Sequence, residues 1–251
     1  MLHIVAYSQS QDEGGVLLPV APVVDASVRT QGNDIIVPDG MNQLIGAGAM
    51  IGTTGVRAQL ISPSLRRTQP YDIRPLDLLL VPTGYNPMYL HEGSPLALDV
   101  NEGLDCNVLA DPAAAEQQTV IVFLSDGKLT PKTGYIIKTR FTITVAQTAG
   151  TWVNTPITFP DALPVGNYSC VGAAMIAAGA VAARFVPIGG KWRPGFPVSQ
   201  TLADKQDEKF RNGLLGEWFQ FSQIQPPSVD ILGSAAAGST TYTGVMDLIA
   251  L

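Results

Sequence analysis

The chain has 251 residues, 46% of them apolar and only 14% charged, with a formal net charge of −6. The apolar share excludes a disordered chain, and the length allows one large domain or two modules of roughly 125 residues, each able to bury a core. The sole adjacent basic pair is Arg66-Arg67, and this argues against direct binding to a nucleic-acid backbone, which needs clustered Lys and Arg.

With 25 Gly and 19 Pro, turns are frequent, and that favours many short strands over long helices. Soluble domains usually carry roughly 25% charged residues. A surface this poor in charge leads us to expect an obligate oligomer, in which neighbours cover part of each subunit. The two cysteines, Cys106 and Cys170, fall one in each half. They read as small buried residues rather than as a bridge. The first ten residues, MLHIVAYSQS, lack the basic-then-apolar pattern of a signal peptide.

In chain order, residues 2–8 read as a strand, with Leu2, Ile4 and Ala6 alternating against His3 and Val5. Residues 16–24 hold Pro19 and Pro22 and suit an extended edge or arm. Residues 34–38 form a short strand, and Asp39-Gly40 a turn. Residues 46–61, GAGAMIGTTGVRAQLI, read as strand, turn and strand, a hairpin. Residues 62–71 are a loop. Strands are expected at 76–81, 88–91, 96–100 and 119–124, the last the strongest β-branched run.

The hairpin matters because it is stated twice. Residues 172–186 read GAAMIAAGAVAARFV, and at an offset of 125 Met50-Ile51 falls on Met175-Ile176, Val56 on Val181 and Ala58 on Ala183. Taken alone, the Ala-rich copy suggests a helix; its Gly- and Thr-rich twin overrides that. Further echoes are collinear: Pro38-Asp39 with Pro160-Asp161, Arg74-Pro75 with Arg193-Pro194, Leu98-Asp99-Val100 with Val229-Asp230-Ile231, and residues 119–126 with 244–251. We therefore expect two modules, residues 1–130 and 131–251, joined near Pro131.

In the second half, residues 136–146 alternate with period two, Ile137, Thr139, Phe141, Ile143 and Val145 on one face. Residues 152–159 form another strand. Residues 162–183 carry no charge but hold Pro164, Asn167 and three glycines, and their twin is plainly soluble, so a membrane span is not expected. A helix is predicted over 201–213, TLADKQDEKFRNG, capped by Thr201 and ended by Gly213. Leu202 and Phe210 would face the body. It reads either as a solvated surface helix or as an inter-subunit contact.

Chemistry is sparse. His3 and His91 fit no metal-ligand spacing, and neither a GxSxG elbow nor a GxxxxGK[ST] loop is present. No catalytic residue, and no enzyme activity, is expected. The best polar constellation is Asp99, Asn101 and Asp105, with Glu102 and Gly103 between them. It reads either as an acidic turn after a strand or as a structural calcium-type site of oxygen ligands at alternate positions. No other cofactor is expected.

An all-β chain of two consecutive jelly-roll modules, with one short helix in a late loop, accounts for these features. In duplication, module size and Gly/Pro-rich strand pattern the chain resembles the double jelly-roll major capsid proteins of tailless icosahedral, internal-membrane bacterial viruses. The resemblance implies a structural virion protein, a homotrimer made pseudo-hexameric by two barrels per subunit, tiling an icosahedral shell assembled in the host cytoplasm. Its partners would be itself, neighbouring capsomers, other virion proteins and an underlying membrane, with no direct nucleic acid, since no Arg-rich arm is present. Trp152, Trp192, Trp218 and Phe210 are the candidate interface residues, with ordinary core burial the alternative for the tryptophans. Two other readings remain: a trimeric acidic DNA sliding clamp, which needs Lys- and Arg-bearing helices, and a two-domain β-sandwich adhesin or receptor-binding spike.

Overall fold

The period-two run of the second half sets the pattern of the whole molecule. Thr139, Phe141, Ile143 and Val145 are buried while Lys138, Arg140 and Thr144 are exposed, as a strand lying on one face of a core requires. The computed structural model describes residues 1–12, 14–51, 56–66, 70–74, 89–110, 115–199 and 208–251. They fall into two units: Val5–Lys128, the first, and Leu129–Leu251 together with Met1–Ile4, the second.

The first unit is built from β1 (Leu2–Gln11), β2 (Leu18–Pro19), β3 (Thr30–Gln31), β4 (Asp34–Ile36), β5 (Gln43–Ile51), β6 (Arg57–Ile61), the single helical turn α1 (Pro63–Arg66), β7 (Tyr71–Ile73), β8 (Tyr89–Leu90), β9 (Leu96–Ala97), β10 (Gly103–Leu109) and β11 (Glu116–Ser125). The second unit follows with β12 (Ile137–Gln147), β13 (Trp152–Pro156), β14 (Asn167–Met175), β15 (Ala180–Val186), β16 (Gly195–Pro197), β17 (Phe219–Ser222), β18 (Ser228–Gly233) and β19 (Ala237–Ala250).

Each unit is a two-sheet sandwich with one strand order. The second unit has sheets β12-β19-β14-β17 and β13-β18-β15-β16; the first has β1-β11-β5-β8 and β4-β10-β6-β7, with β2, β3 and β9 added at their margins. Counting the eight principal strands of a unit, the first, eighth, third and sixth make one sheet and the second, seventh, fourth and fifth the other. That is the jelly-roll order.

The repeat holds pair by pair. Met50 opposes Thr119 and Met175 opposes Gly244, and the next three rungs, ending at Ala47–Val122 and Gly172–Asp247, correspond in the same way. In the other sheet all five rungs from Arg57–Leu109 to Ile61–Asp105 correspond to those from Ala182–Leu232 to Val186–Ser228. Both β5–β11 and β14–β19 carry a bulge next to these rungs, one residue apart in register.

Four expectations are corrected. Residues 46–61 and 172–186 are not hairpins: β5 and β6 lie in different sheets, as do β14 and β15, so the two strands of each copy do not pair with each other. The two strands of each copy are buried almost continuously, whereas a half-exposed hairpin would alternate. Residues 103–105, read as the tail of an acidic turn, instead open strand β10, with Leu104, Cys106 and Val108 pointing inward. Consequently Val229–Ile231 corresponds to residues 106–108, not 98–100, and β16 corresponds to β7 with Phe196 in the place of Ile73. Of the helix expected over 201–213, residues 201–207 lie outside the described residues; the rest holds one 3-10 turn, Glu208–Phe210. Phe210 is buried and Gly213 N donates to Val171 O at 3.0 Å, so the chain turns down onto β14 instead of continuing to wind. The strand expected at 76–81 also lies outside the described residues. Among them no helix is long and apolar enough to cross a membrane.

The cores differ in kind. The second unit's is aromatic: Phe185 of β15 sits 6.0 Å from Phe141 and 5.1 Å from Phe219, both of the opposite sheet, and Trp218 stacks on Phe196 at 6.3 Å. The first unit's is aliphatic, with Ile35, Leu44, Leu60, Val120 and Val122 buried. It is crossed by Tyr7, whose hydroxyl donates to the Leu104 carbonyl.

Candidate functional site

Ladder register places Asn154, Asp230, Arg184 and Gly195 in one row across β13, β18, β15 and β16. Phe185, the next residue of β15, faces the core, so Arg184 points to the other side of its sheet. Arg184 Nε donates to Asp230 Oδ2 at 3.0 Å, and Asn154 Nδ2 donates to Asp230 Oδ1 at 2.7 Å. The guanidinium also lies 4.0 Å from the Trp152 ring centroid and donates through Nη1 to Ile4 O at 3.2 Å. Gly195 is obligatory here: a Cβ would stand 2.6 Å from Arg184 Cα. At the matching rung of the first unit stand the neutral Gln59 and Asn107, and the ionic pair is displaced to the surface as Arg57–Asp72, 2.6 Å apart.

The segment Met1–Ile4 is tied down beside this row. Ile4 N donates to Arg193 O at 2.9 Å, and Arg193 N donates to Nδ1 of the buried His3 at 3.0 Å. His3 packs at 5.3 Å from half-buried Trp192, with Lys191 Nζ 4.4 Å from that ring. A cavity of about 480 Å³ opens alongside, lined by Met1, Ile188, Trp192, Glu217, Trp218 and Phe219 among others. Burial pushes the Glu217 carboxyl up, but hydrogen bonds from Ser169, Gln220 and Lys132 outweigh it and hold the group below its ordinary value.

The four expected interface residues thus divide. Trp218 is 1% exposed and Phe210 2%; both lie in the core of their own unit. Trp152 and Trp192 are half-buried, each engaged by a cation. Arg184, buried in an alanine run, escaped the sequence reading, although an Arg in such a run, with an Asp on another apolar strand, is the signal of a buried pair.

Asp99 and Asn101 precede β10, and Asp105 lies within it. Asp105 belongs to β10 and accepts from Asn107 Nδ2 at 3.1 Å, whereas Asn101 sits in the preceding turn at φ 66°. The turn's working carboxylate is Glu102, which accepts from Ser64 N at 3.1 Å and Ser64 Oγ at 2.9 Å. Among the described residues no three His, Cys, Asp or Glu side chains are grouped to hold a metal. Burial drives both thiols, Cys106 and Cys170, well above their ordinary range, which withholds the thiolate a nucleophile needs. Among the described residues the helical pieces are Pro63–Arg66 and Glu208–Phe210, not the Lys- and Arg-bearing helices that a DNA clamp needs. The two units are all-β sandwiches, and the polar row of the second ties β13, β15 and β18 to one another.

No protein-family model matches the sequence, and no curated protein matches it. Among solved structures, the chain is similar to the major capsid protein P2 from Bacteriophage PM2, at a TM-score of 0.26 and 12% identity over 100% of this chain and 97% of that one. It is also similar to a Paenibacillus xanthan lyase, at a TM-score of 0.24 and 13% identity over 100% of this chain and 25% of that one. Scores this low bear on neither activity nor role.

Proposed function

We propose that the chain is a structural coat protein, a subunit of a homotrimeric capsomer that tiles an icosahedral virion shell assembled in the host cytoplasm. The observation that supports this reading is the repetition of one eight-strand jelly roll, rung by rung, within a single chain. A trimer of such chains carries six like blocks, and six like blocks suit a near-hexagonal tile. Tiling asks for broad lateral surfaces rather than for a reactive centre, and a chain with 14% charged residues offers them. The buried Arg184–Asp230 ion pair holds β15 to β18, consistent with a scaffold. Partners on this reading are other copies, other virion proteins and an underlying membrane.

Sedimentation equilibrium tests the first step. The proposal expects a species three times the 26.5 kDa subunit mass at micromolar concentration. A monodisperse monomer there overturns it.

A further inference from the structure

Strand directions sort the loops of the second unit to two ends of its sandwich. The β13–β14, β15–β16 and β17–β18 loops and the residues just before β12 lie at one end; the β12–β13, β14–β15 and β18–β19 loops lie at the other. At the first end each loop puts one branched aliphatic side chain into water: Val165 is 87% exposed, Ile188 68% and Ile224 74%, with Tyr135 at 86% beside them. Gln223 N donates to Gly166 O at 2.9 Å, which joins two of these loops. At the other end, residues 148–151, 176–179 and 234–236 carry none of the exposed large apolar side chains.

We infer that this end of the second unit binds a lipid surface, with Val165, Ile188 and Ile224 inserted among the acyl chains. Exposed apolar groups gathered in one place mark a contact site, and three features select lipid. The three loops contain Pro160, Pro164, Pro187, Pro226 and Pro227, each lacking the backbone N–H that costs most to bury where nothing can accept it. Their only carboxylate, Asp161, is neutralised by Arg140 through two bonds of 3.1 Å. Their remaining charges are cations, Lys191 and Arg193, and these stand next to Trp192, so that apolar tips are backed by an aromatic and basic belt of the kind that sits at headgroup level. A protein partner would instead need complementary polar groups around the apolar centre, and the QIQPP loop at residues 223–227 has no charged group to offer. The inference stands on these loops and not on the coat reading; a failed trimer would leave it intact.

The test is flotation with vesicles of phosphatidylcholine, alone and with phosphatidylglycerol, comparing the full chain with V165S/I188S/I224S. The wild type is expected to float with both, more strongly with the anionic lipid. The triple variant, altered only at exposed side chains and checked for an unchanged melting midpoint, is expected to lose at least tenfold in partitioning. An environment-sensitive probe on Ile224→Cys should shift to the blue with vesicles, since Cys106 and Cys170 are buried and stay unlabelled. Wild-type protein that stays at the bottom of the gradient overturns the inference. Equal flotation of the variant overturns it too, and so does self-association abolished by the same substitutions, which would assign the end to a second copy of the chain.

Discussion

Replacing Arg184 by Gln and Asp230 by Asn, singly and together, converts the second unit's buried ion pair into the neutral pair that stands at the same rung of the first unit, Gln59 and Asn107. The side chains are 1% and 10% exposed, so solvent screening is weak and each charge depends on the other. Removing either one strands its partner, at a cost of about 3–5 kcal/mol. Arg184→Gln also gives up the bond to Ile4 O and the face of Trp152, about 1–2 kcal/mol more. The double variant leaves no orphan charge and should lose only about 1–2 kcal/mol, less than either single. The coupling energy is then about 5 kcal/mol or more, above the usual range for residues in contact. Urea unfolding followed by tryptophan fluorescence is the assay, because Trp152, Trp192 and Trp218 all belong to the second unit. Additive single effects, or singles that each cost under about 1 kcal/mol, would refute the reasoning.

Three further outcomes follow from burial and close contact. In Gly172→Val a Cβ meets Phe210 O at 2.8 Å and Arg211 Cα at 2.9 Å, so overpacking should destabilise the second unit by about 1–3 kcal/mol; an unchanged urea midpoint contradicts this. Thiol reagents at pH 8 should leave Cys106 and Cys170 unmodified until urea is added, since burial raises both thiols; rapid native labelling argues otherwise. Burial pushes the Asp247 carboxyl up, but the bonds from Arg211 and Asn212 prevail and hold it below its ordinary value. Its folded value is depressed, so its contribution is complete above the unfolded value of about 3.9 and is lost as pH falls through the folded one. The urea midpoint of the wild type should therefore fall more steeply below pH ~4 than that of Asp247→Asn; parallel acid limbs count against it.

Strands that lie half-buried were legible in the sequence, and β12 is the clearest case, since water on one face and core on the other force strict alternation. β10 has the same signature in Leu104, Cys106 and Val108, yet Asp105 among them, following Asp99 and Asn101, drew the reading toward an acidic site. The duplication was legible because Met50 and Met175 hold equivalent rungs. What joins to what was not: turn residues show that the chain reverses, but Met50 finds its partner at Thr119, far along the chain, and no local signal records that choice. In residues 208–213, the described part of the expected helix, a tertiary demand, the burial of Phe210 and the bond from Gly213 to Val171, outweighed propensity. Aromatic content marked Trp152, Trp192 and Trp218 as important without telling core from surface, because both environments reward large rings.

Electron microscopy of the purified, concentrated protein tests the coat reading most directly. Threefold particles with six lobes, packing into hexagonal arrays or closing into shells, are the expected result. Isolated monomers or rods at every concentration would contradict it.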